Sequence, residues 1–167
     1  MWRQPLSEIQ KPYLTQLEET FQELASATEG TLPYTGEDWD SLSAAYAKAV
    51  DNIKAAQEEP AMQTALDKGI AAMKAVPTAQ ERIDHVVDSW ESAHSGALAY
   101  LSGGKLTQSN AAQAHSLAQQ ALEGAGQGNL AQYCPLQGEE DQNLVLGAAS
   151  AQIQPQVEKL MTLGQAA

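Results

Sequence analysis

The clearest helix signal in the chain lies at residues 78–104, TAQERIDHVVDSWESAHSGALAYLSGG. This segment contains the N-terminal signal, the apolar stripe and the C-terminal signal of an amphipathic helix. Thr78 and Glu81 have the spacing of a capping box, which satisfies free backbone N–H groups at a helix start. Apolar residues then recur three or four positions apart, and Gly103-Gly104 end the pattern. The stretch therefore predicts one helix whose buried stripe is Ile83, Val86, Val87, Trp90, Ala97 and Leu98.

The same spacing continues on both sides of this helix and predicts an all-α fold. Further helices are predicted over about Ser7 or Pro12 to Ala27, Asp38 to Glu58, Pro60 to Ala75, Thr107 to Glu123 and Glu139 to Leu163. In the helix that begins near Asp38, one face holds Trp39, Leu42, Tyr46, Ala49, Val50 and Ile53. Short connections between five or six helices predict an antiparallel bundle, and 167 residues suit a single domain over 1–167.

Two segments near the C-terminus depart from the simple pattern. Residues 124–138 carry several glycines and are predicted to form an irregular segment, held to the core by Leu130, Tyr133 and Leu136. Pro155 is predicted to kink the last helix or divide it in two, because proline removes a backbone donor.

The charge of the chain limits its partners. The formal net charge is −12, which disfavours binding to nucleic acid and to anionic membrane surfaces. A protein partner with a basic surface fits this charge, although solubility alone also accounts for it. No stretch is apolar enough for a membrane span, and Met1 to Pro5 lack the apolar run of a signal peptide. The compartment stays open, and a secreted form with its leader removed is included.

One constellation resembles a metal site in its spacing. Glu91 and His94 form Glu-x-x-His, which places a carboxylate and an imidazole on one helix face. His115 on the next helix would complete a single zinc or iron site if the two helices pack antiparallel. The alternative is that these residues belong to the solvated face of an amphipathic helix.

Other chemical motifs are weaker, and no catalytic residue or cofactor is predicted. Cys134 has no adjacent base and is predicted to be a half-buried structural cysteine. Ser102 and Lys105 match Ser-x-x-Lys in letters only, because two glycines after a helix indicate its end. The acidic clusters 37–40 and 139–141 lack the calcium-loop pattern, and charge complementarity at helix N-termini explains them.

Two features indicate partner binding. The predicted helix over 107–123 is almost uncharged, and Ala111, Ala114 and Ala118 give it a small-residue surface of the kind found at interface centres. Trp2 and Tyr34 fall outside the apolar stripes, and exposed aromatic residues are common binding anchors. The alternative for the uncharged helix is a central position in the bundle, covered on most sides.

The function predicted from these features is that of a non-enzymatic interaction protein, which docks onto another protein or serves as a subunit of an assembly. Homo-oligomers are left open. The alternative is a helical bundle that binds a small apolar ligand or one metal ion, with Met62 and Met73 lining an adaptable pocket. A third hypothesis is a small hydrolase in which Glu91 lies in a cleft.

Overall fold

The computed structural model describes residues 5–26, 33–103 and 106–165, and within these ranges the chain is entirely helical, with no strand. The all-α prediction is confirmed. The α-helices are α1 Leu6–Ala25, α2 Gly36–Ala55, α3 Glu59–Lys74, α4 Ala79–Ala93, α5 Ser95–Leu101, α6 Ala111–Gly124, α7 Gln127–Leu130 and α8 Glu139–Gln165. A 3₁₀ helix, Ala131–Tyr133, follows α7 directly.

The chain divides into two compact units, Met1–Gln80 and Glu81–Ala167. Each unit has its own apolar core. The prediction of one domain over 1–167 stays a prediction. No helix in the described ranges combines the length and the apolar character that crossing a membrane requires.

The core of the first unit comes from the stripes of α1, α2 and α3. Its fully or nearly fully buried apolar members recur at helical spacing, because three or four residues bring a side chain back to the same face. They are Leu17, Leu42, Ala49, Ile53, Leu66 and Met73. The stripe predicted for α2 is confirmed at Leu42, Ala49 and Ile53, but Trp39 is 41% exposed, so its predicted burial is wrong.

Gly69 of α3 lies very close to Ala49 of α2. A methyl group added there would lie 2.5 Å from the Cβ of Ala49 and 3.2 Å from Cδ1 of Leu17. Glycine at this position therefore allows a helix approach that no larger residue permits without a shift.

A buried amide joins α1 to the C-terminal end of α2. The Nε2 group of Gln10 donates to the carbonyl oxygens of Lys54 and Ala56, each at 3.0 Å. Carbonyl groups at a helix C-terminus have no partner within the helix. Gln10 is itself buried, so its two bonds offset the cost of removing a polar group from water.

The core of the second unit surrounds Trp90, whose side chain has no exposed surface. Its indole Nε1 donates to the carbonyl oxygen of Ala121 at 3.3 Å, so the polar atom of the largest core residue is satisfied. Around it lie apolar residues of α4, α5, α6 and α8, including Val86, Ala97, Ala118, Val145 and Ile153. The burial predicted for the apolar stripe is confirmed for its first members and for Ala97, and Leu98 is half-buried. The buried members are Ile83, Val86, Val87, Trp90 and Ala97.

The helix predicted over 78–103 is interrupted, which corrects the expectation of one continuous element. Helix α4 ends at Ala93, and His94 leaves the helical conformation with φ −121° and ψ 29°. The N–H of His94 is shared between the carbonyls of Trp90 and Glu91, which tightens the last turn. Ser95 and Gly96 follow, and both have lower helix propensity than alanine.

Two predictions near the C-terminus are corrected. Residues 127–133 are ordered as α7 and the 3₁₀ helix, and Nδ2 of Asn129 donates to the carbonyl of Glu123 across the preceding turn. Leu130 and Leu136 are buried as predicted. Pro155 does not divide α8, since it lies inside one continuous helix, and its ring is exposed. The other form of this prediction, a kink at Pro155, stays a prediction.

Candidate functional site

An aromatic cluster lies on the first unit, where side chains of α1 and α2 meet the residues before α2. The ring of Phe21 lies 4.6 Å from that of Tyr46 and 5.8 Å from that of Trp39, measured between centroids. The ring of Tyr34 lies 6.5 Å from that of Trp39. All three ring pairs are tilted, with interplanar angles of 33°, 51° and 54°, as is common for packed aromatic residues. We call Phe21, Tyr34, Trp39 and Tyr46 the aromatic surface.

The aromatic surface gathers four of the nine aromatic residues of the chain. Phe21, Tyr34 and Tyr46 are half-buried against the core of the first unit, whereas 41% of Trp39 is exposed. The cluster is thus anchored on one side and open on the other, and an interface anchor needs both properties.

The start of α2 fixes the position of Trp39. The hydroxyl of Thr35 accepts a hydrogen bond from the backbone N–H of Asp38 and donates one to the Asp38 carboxylate, each at 3.1 Å. Both residues are buried. The N–H of Trp39 donates to the carbonyl of Thr35 at 2.8 Å, so the indole extends from a capped first turn.

Sequence reasoning missed this cap and the exposure of Trp39. The signal for the cap is Thr35-x-x-Asp38, a variant of the capping box with aspartate in place of glutamate. The exposure of Trp39 had no comparable signal, because the apolar spacing of α2 places Trp39 on the same face as Leu42 and Tyr46.

Acidic residues border the aromatic surface along the chain. Asp40 follows Trp39 directly and is exposed. Glu18 precedes Phe21 by three residues on α1, which places the two side chains on neighbouring positions of one helix face. The Oε1 atom of Glu18 accepts a hydrogen bond from Nε2 of Gln22 at 3.4 Å. Two exposed carboxylates therefore lie close to the aromatic residues along the chain.

The residues predicted to bind metal do not form a metal-binding group. Within the described ranges, no three His, Cys, Asp or Glu side chains are placed to hold an ion. The ring of His94 packs on that of Trp90 at 5.7 Å, and its Nε2 atom faces the α-carbon of Gly124. The Nδ1 atom of His115 is buried and has no hydrogen-bond partner among the residues that the structure describes. This geometry gives the site of Glu91, His94 and His115 no support.

The position of His94 makes the second unit sensitive to acid. Burial lowers the pKa of His94 below its ordinary value of 6.5. Between the lowered pKa and 6.5, the unfolded chain binds more protons than the folded one, so acid favours unfolding. We expect the free energy of unfolding to be level above about pH 6.5 and to fall as the pH drops below it. Urea unfolding at a series of pH values measures this.

A matched pair of variants isolates the contribution of His94. His94→Gln should reduce the fall in stability on acidification, because the group that takes up the proton is gone. His85→Gln, at an exposed position of α4, should retain the full fall. An equal reduction in both variants would show that the effect does not come from the buried ring.

Glu91, the residue of the hydrolase hypothesis, lines an open groove of about 350 Å³ in the second unit. Its Oε1 atom accepts a hydrogen bond from Nε2 of Gln156 at 3.4 Å. Leu98, Leu101, Ser102 and Lys159 complete the lining. Glu91 therefore does lie in a cleft. Ser102 and Lys159 share the groove with it, but the Ser102 hydroxyl donates to the backbone carbonyl of Leu98 at 3.3 Å and not to a neighbouring base.

The residues predicted to bind a partner have different surroundings. Ala114 and Ala118 on α6 have no exposed surface, and Ala111 is half-buried, so the chain itself covers the face on which these alanines lie. The opposite face of α6, with Gln113 and Gln120, is exposed, so α6 is not covered on most sides. Tyr34 belongs to the aromatic surface. Trp2 lies outside the described residues. Met62 and Met73, predicted to line a pocket, are fully buried.

Cys134 is buried and free, as predicted for a structural cysteine. The aromatic surface thus remains the described feature best suited to a function. In comparisons with known proteins, no protein family, no curated protein and no solved structure matches this chain.

Proposed function

We propose that the protein is a non-enzymatic interaction protein, which docks onto another protein through the aromatic surface of its first unit. The single observation that supports this is a continuous series of four aromatic rings, Tyr46, Phe21, Trp39 and Tyr34, in which the tryptophan is 41% exposed. Tryptophan and tyrosine dominate the binding energy of protein interfaces, especially where neighbouring residues hold them in place.

The partner is a protein segment that carries lysine or arginine beside an apolar side chain. Asp40 and Glu18, which are exposed and close to the aromatic residues in sequence, attract positive charge, and the chain as a whole carries −12. The open face of the Trp39 indole also attracts a cation directly through its electron-rich ring. An apolar side chain of the partner would cover the edges of Phe21 and Tyr34.

The scaffold in this proposal is the antiparallel bundle predicted from the sequence. Only residues 56–58 connect α2 to α3, and short connections favour antiparallel neighbours.

The Thr35–Asp38 cap is a further support for the proposal. It fixes the turn from which Trp39 extends, and a side chain that is ordered before binding loses less entropy on binding.

Selection of peptides from a random display library tests the proposal, with the full chain as the target. Enriched peptides should carry lysine or arginine beside an apolar residue. Trp39→Ala should weaken their binding by about 2 kcal/mol, roughly thirtyfold in Kd, because truncation of a central aromatic anchor typically costs that much. Calorimetry or fluorescence anisotropy measures the affinity of each selected peptide.

Leu144→Ala is the matched control. Leu144 is a large apolar residue of comparable exposure, 38%, and it lies on α8 in the second unit. Its variant should bind the selected peptides as the unchanged protein does. Peptides that bind the Trp39 variant equally well, or an enriched pool without basic residues, would refute the proposed surface.

A further inference from the structure

A groove of about 350 Å³ lies between α2 and α3 in the first unit, apart from the aromatic surface. The face of α2 that lines it is spaced at i, i+3, i+4 and i+7. Its lining residues are Ala45, Lys48, Ala49, Asn52, Lys68, Gly69 and Ala72. The volume falls within the range of small-molecule sites, about 300–1,000 Å³.

The charge of this groove is opposite to that of the chain. The protein has 21 acidic residues and nine basic ones. Among the described residues that line the groove, both ionisable side chains are lysines, and no acid is present. Lys48 comes from α2 and Lys68 from α3, so one lysine side chain lines the space from each of the two helices. Asn52, one turn after Lys48, adds an amide that can donate a hydrogen bond.

The lining of the groove between these polar groups is apolar and consists of small residues. Ala45, Ala49 and Ala72 present only methyl groups, and Gly69 presents none. The close approach of α2 and α3 at Gly69 and Ala49 forms one side of the space. Such walls suit a thin, flat apolar body more than a branched or bulky one.

We propose that this groove binds a small organic acid, with its carboxylate between Lys48 and Lys68 and a flat apolar body against the alanine walls. Lysine ammonium groups donate to carboxylate oxygens in charge-assisted hydrogen bonds. The inference does not depend on the proposed docking function, because none of the residues of the aromatic surface lines the groove.

Titration with benzoate, followed by amide chemical shifts of the full chain, tests this inference. Benzoate should produce saturable shifts at Gly69 and Ala72, with a Kd of about millimolar for so small a ligand. Benzamide has the same shape without the charge and should leave these amides unshifted. Inorganic phosphate, which has the charge without the apolar body, should bind more weakly than benzoate.

Lysine variants identify the groups responsible. The double variant Lys48→Met and Lys68→Met keeps the side-chain stems and removes both charges. It should weaken benzoate binding by about five- to tenfold, because exposed ion pairs contribute modestly one by one. The control is the double variant Lys54→Met and Lys74→Met, which removes the same charge from the same two helices outside the groove. This variant should bind benzoate normally.

Three results would overturn the inference. They are the absence of saturable shifts with benzoate, equal shifts with benzamide, and an equal loss of affinity in both double variants. The third result would show that benzoate responds to the overall charge of the protein and not to these two lysines. None of the three bears on the aromatic surface.

Discussion

Replacement of Trp90 by alanine is expected to lower the free energy of unfolding of the second unit by about 3–5 kcal/mol. The indole has no exposed surface and lies among the residues of the core. Its removal forfeits the burial of a large ring, leaves a cavity, and takes the Nε1 donor away from the carbonyl of Ala121. Since domains are typically stable by only about 5–15 kcal/mol, this loss is a large part of the total. Urea unfolding followed by circular dichroism measures it.

Trp39→Ala is the control for this change, because it makes the same replacement at a partly exposed position. Its indole contacts Phe21 and Tyr34 but is 41% exposed, so we expect a loss below about 1.5 kcal/mol. The Trp90 variant is thus expected to affect stability, and the Trp39 variant is expected to affect mainly binding. Equal losses of stability in both variants would contradict the burial that distinguishes them.

Replacement of Gly69 by alanine is expected to destabilise the first unit, although alanine is the better helix former. The added methyl would lie 2.5 Å from the Cβ of Ala49, and neither methyl group can rotate out of the way. Helices α2 and α3 must therefore separate, and overpacking of this kind costs about 1–3 kcal/mol. Alanine favours a helix by roughly 1 kcal/mol over glycine. This gain offsets only part of an overpacking cost in the upper part of that range.

Gly147→Ala makes the same change where no atom opposes it. Gly147 lies inside α8, and a methyl group there would meet nothing within 4 Å. This variant should gain about 0.5–1 kcal/mol, because alanine loses less backbone entropy than glycine on folding. The two variants should therefore change the midpoint of urea unfolding in opposite directions. A stabilised Gly69→Ala protein would show that the two helices do not meet at this position.

Much of the helical structure is predictable from local signals. The stripes of α1, α2 and α3 and the proline and glycine residues near their ends give bounds within a few residues of those observed. Local signals suffice there because the period of an amphipathic helix is a property of neighbouring residues. The break at His94 was not predicted, because the apolar spacing continues past it to Ala97 and Leu98 and hides the low helix propensity of Ser95 and Gly96. Helix α7 was not predicted, because the glycines at 124, 126 and 128 indicate an irregular segment.

The candidate sites were less predictable than the helices. Trp39 has the spacing of a core residue, and its exposure depends on where α1 places Phe21. Lys48 and Lys68 lie twenty positions apart on different helices, so only the folded chain brings them to one groove. Ala114 and Ala118 show the opposite case, in which an uncharged surface indicated a partner and the chain itself covers it.

The buried amide of Gln10 has a consequence for how α1 and α2 select their alignment. Small side chains such as those of α2 hold helices together but discriminate poorly between alternative registers, since a shifted helix meets similar methyl groups. The bonds from Gln10 to Lys54 and Ala56 are met in one register only. A slip of one turn, about 5.4 Å, would break both and leave a polar group buried without partners. Gln10 therefore selects one register of α1 against α2, in addition to stabilising the first unit.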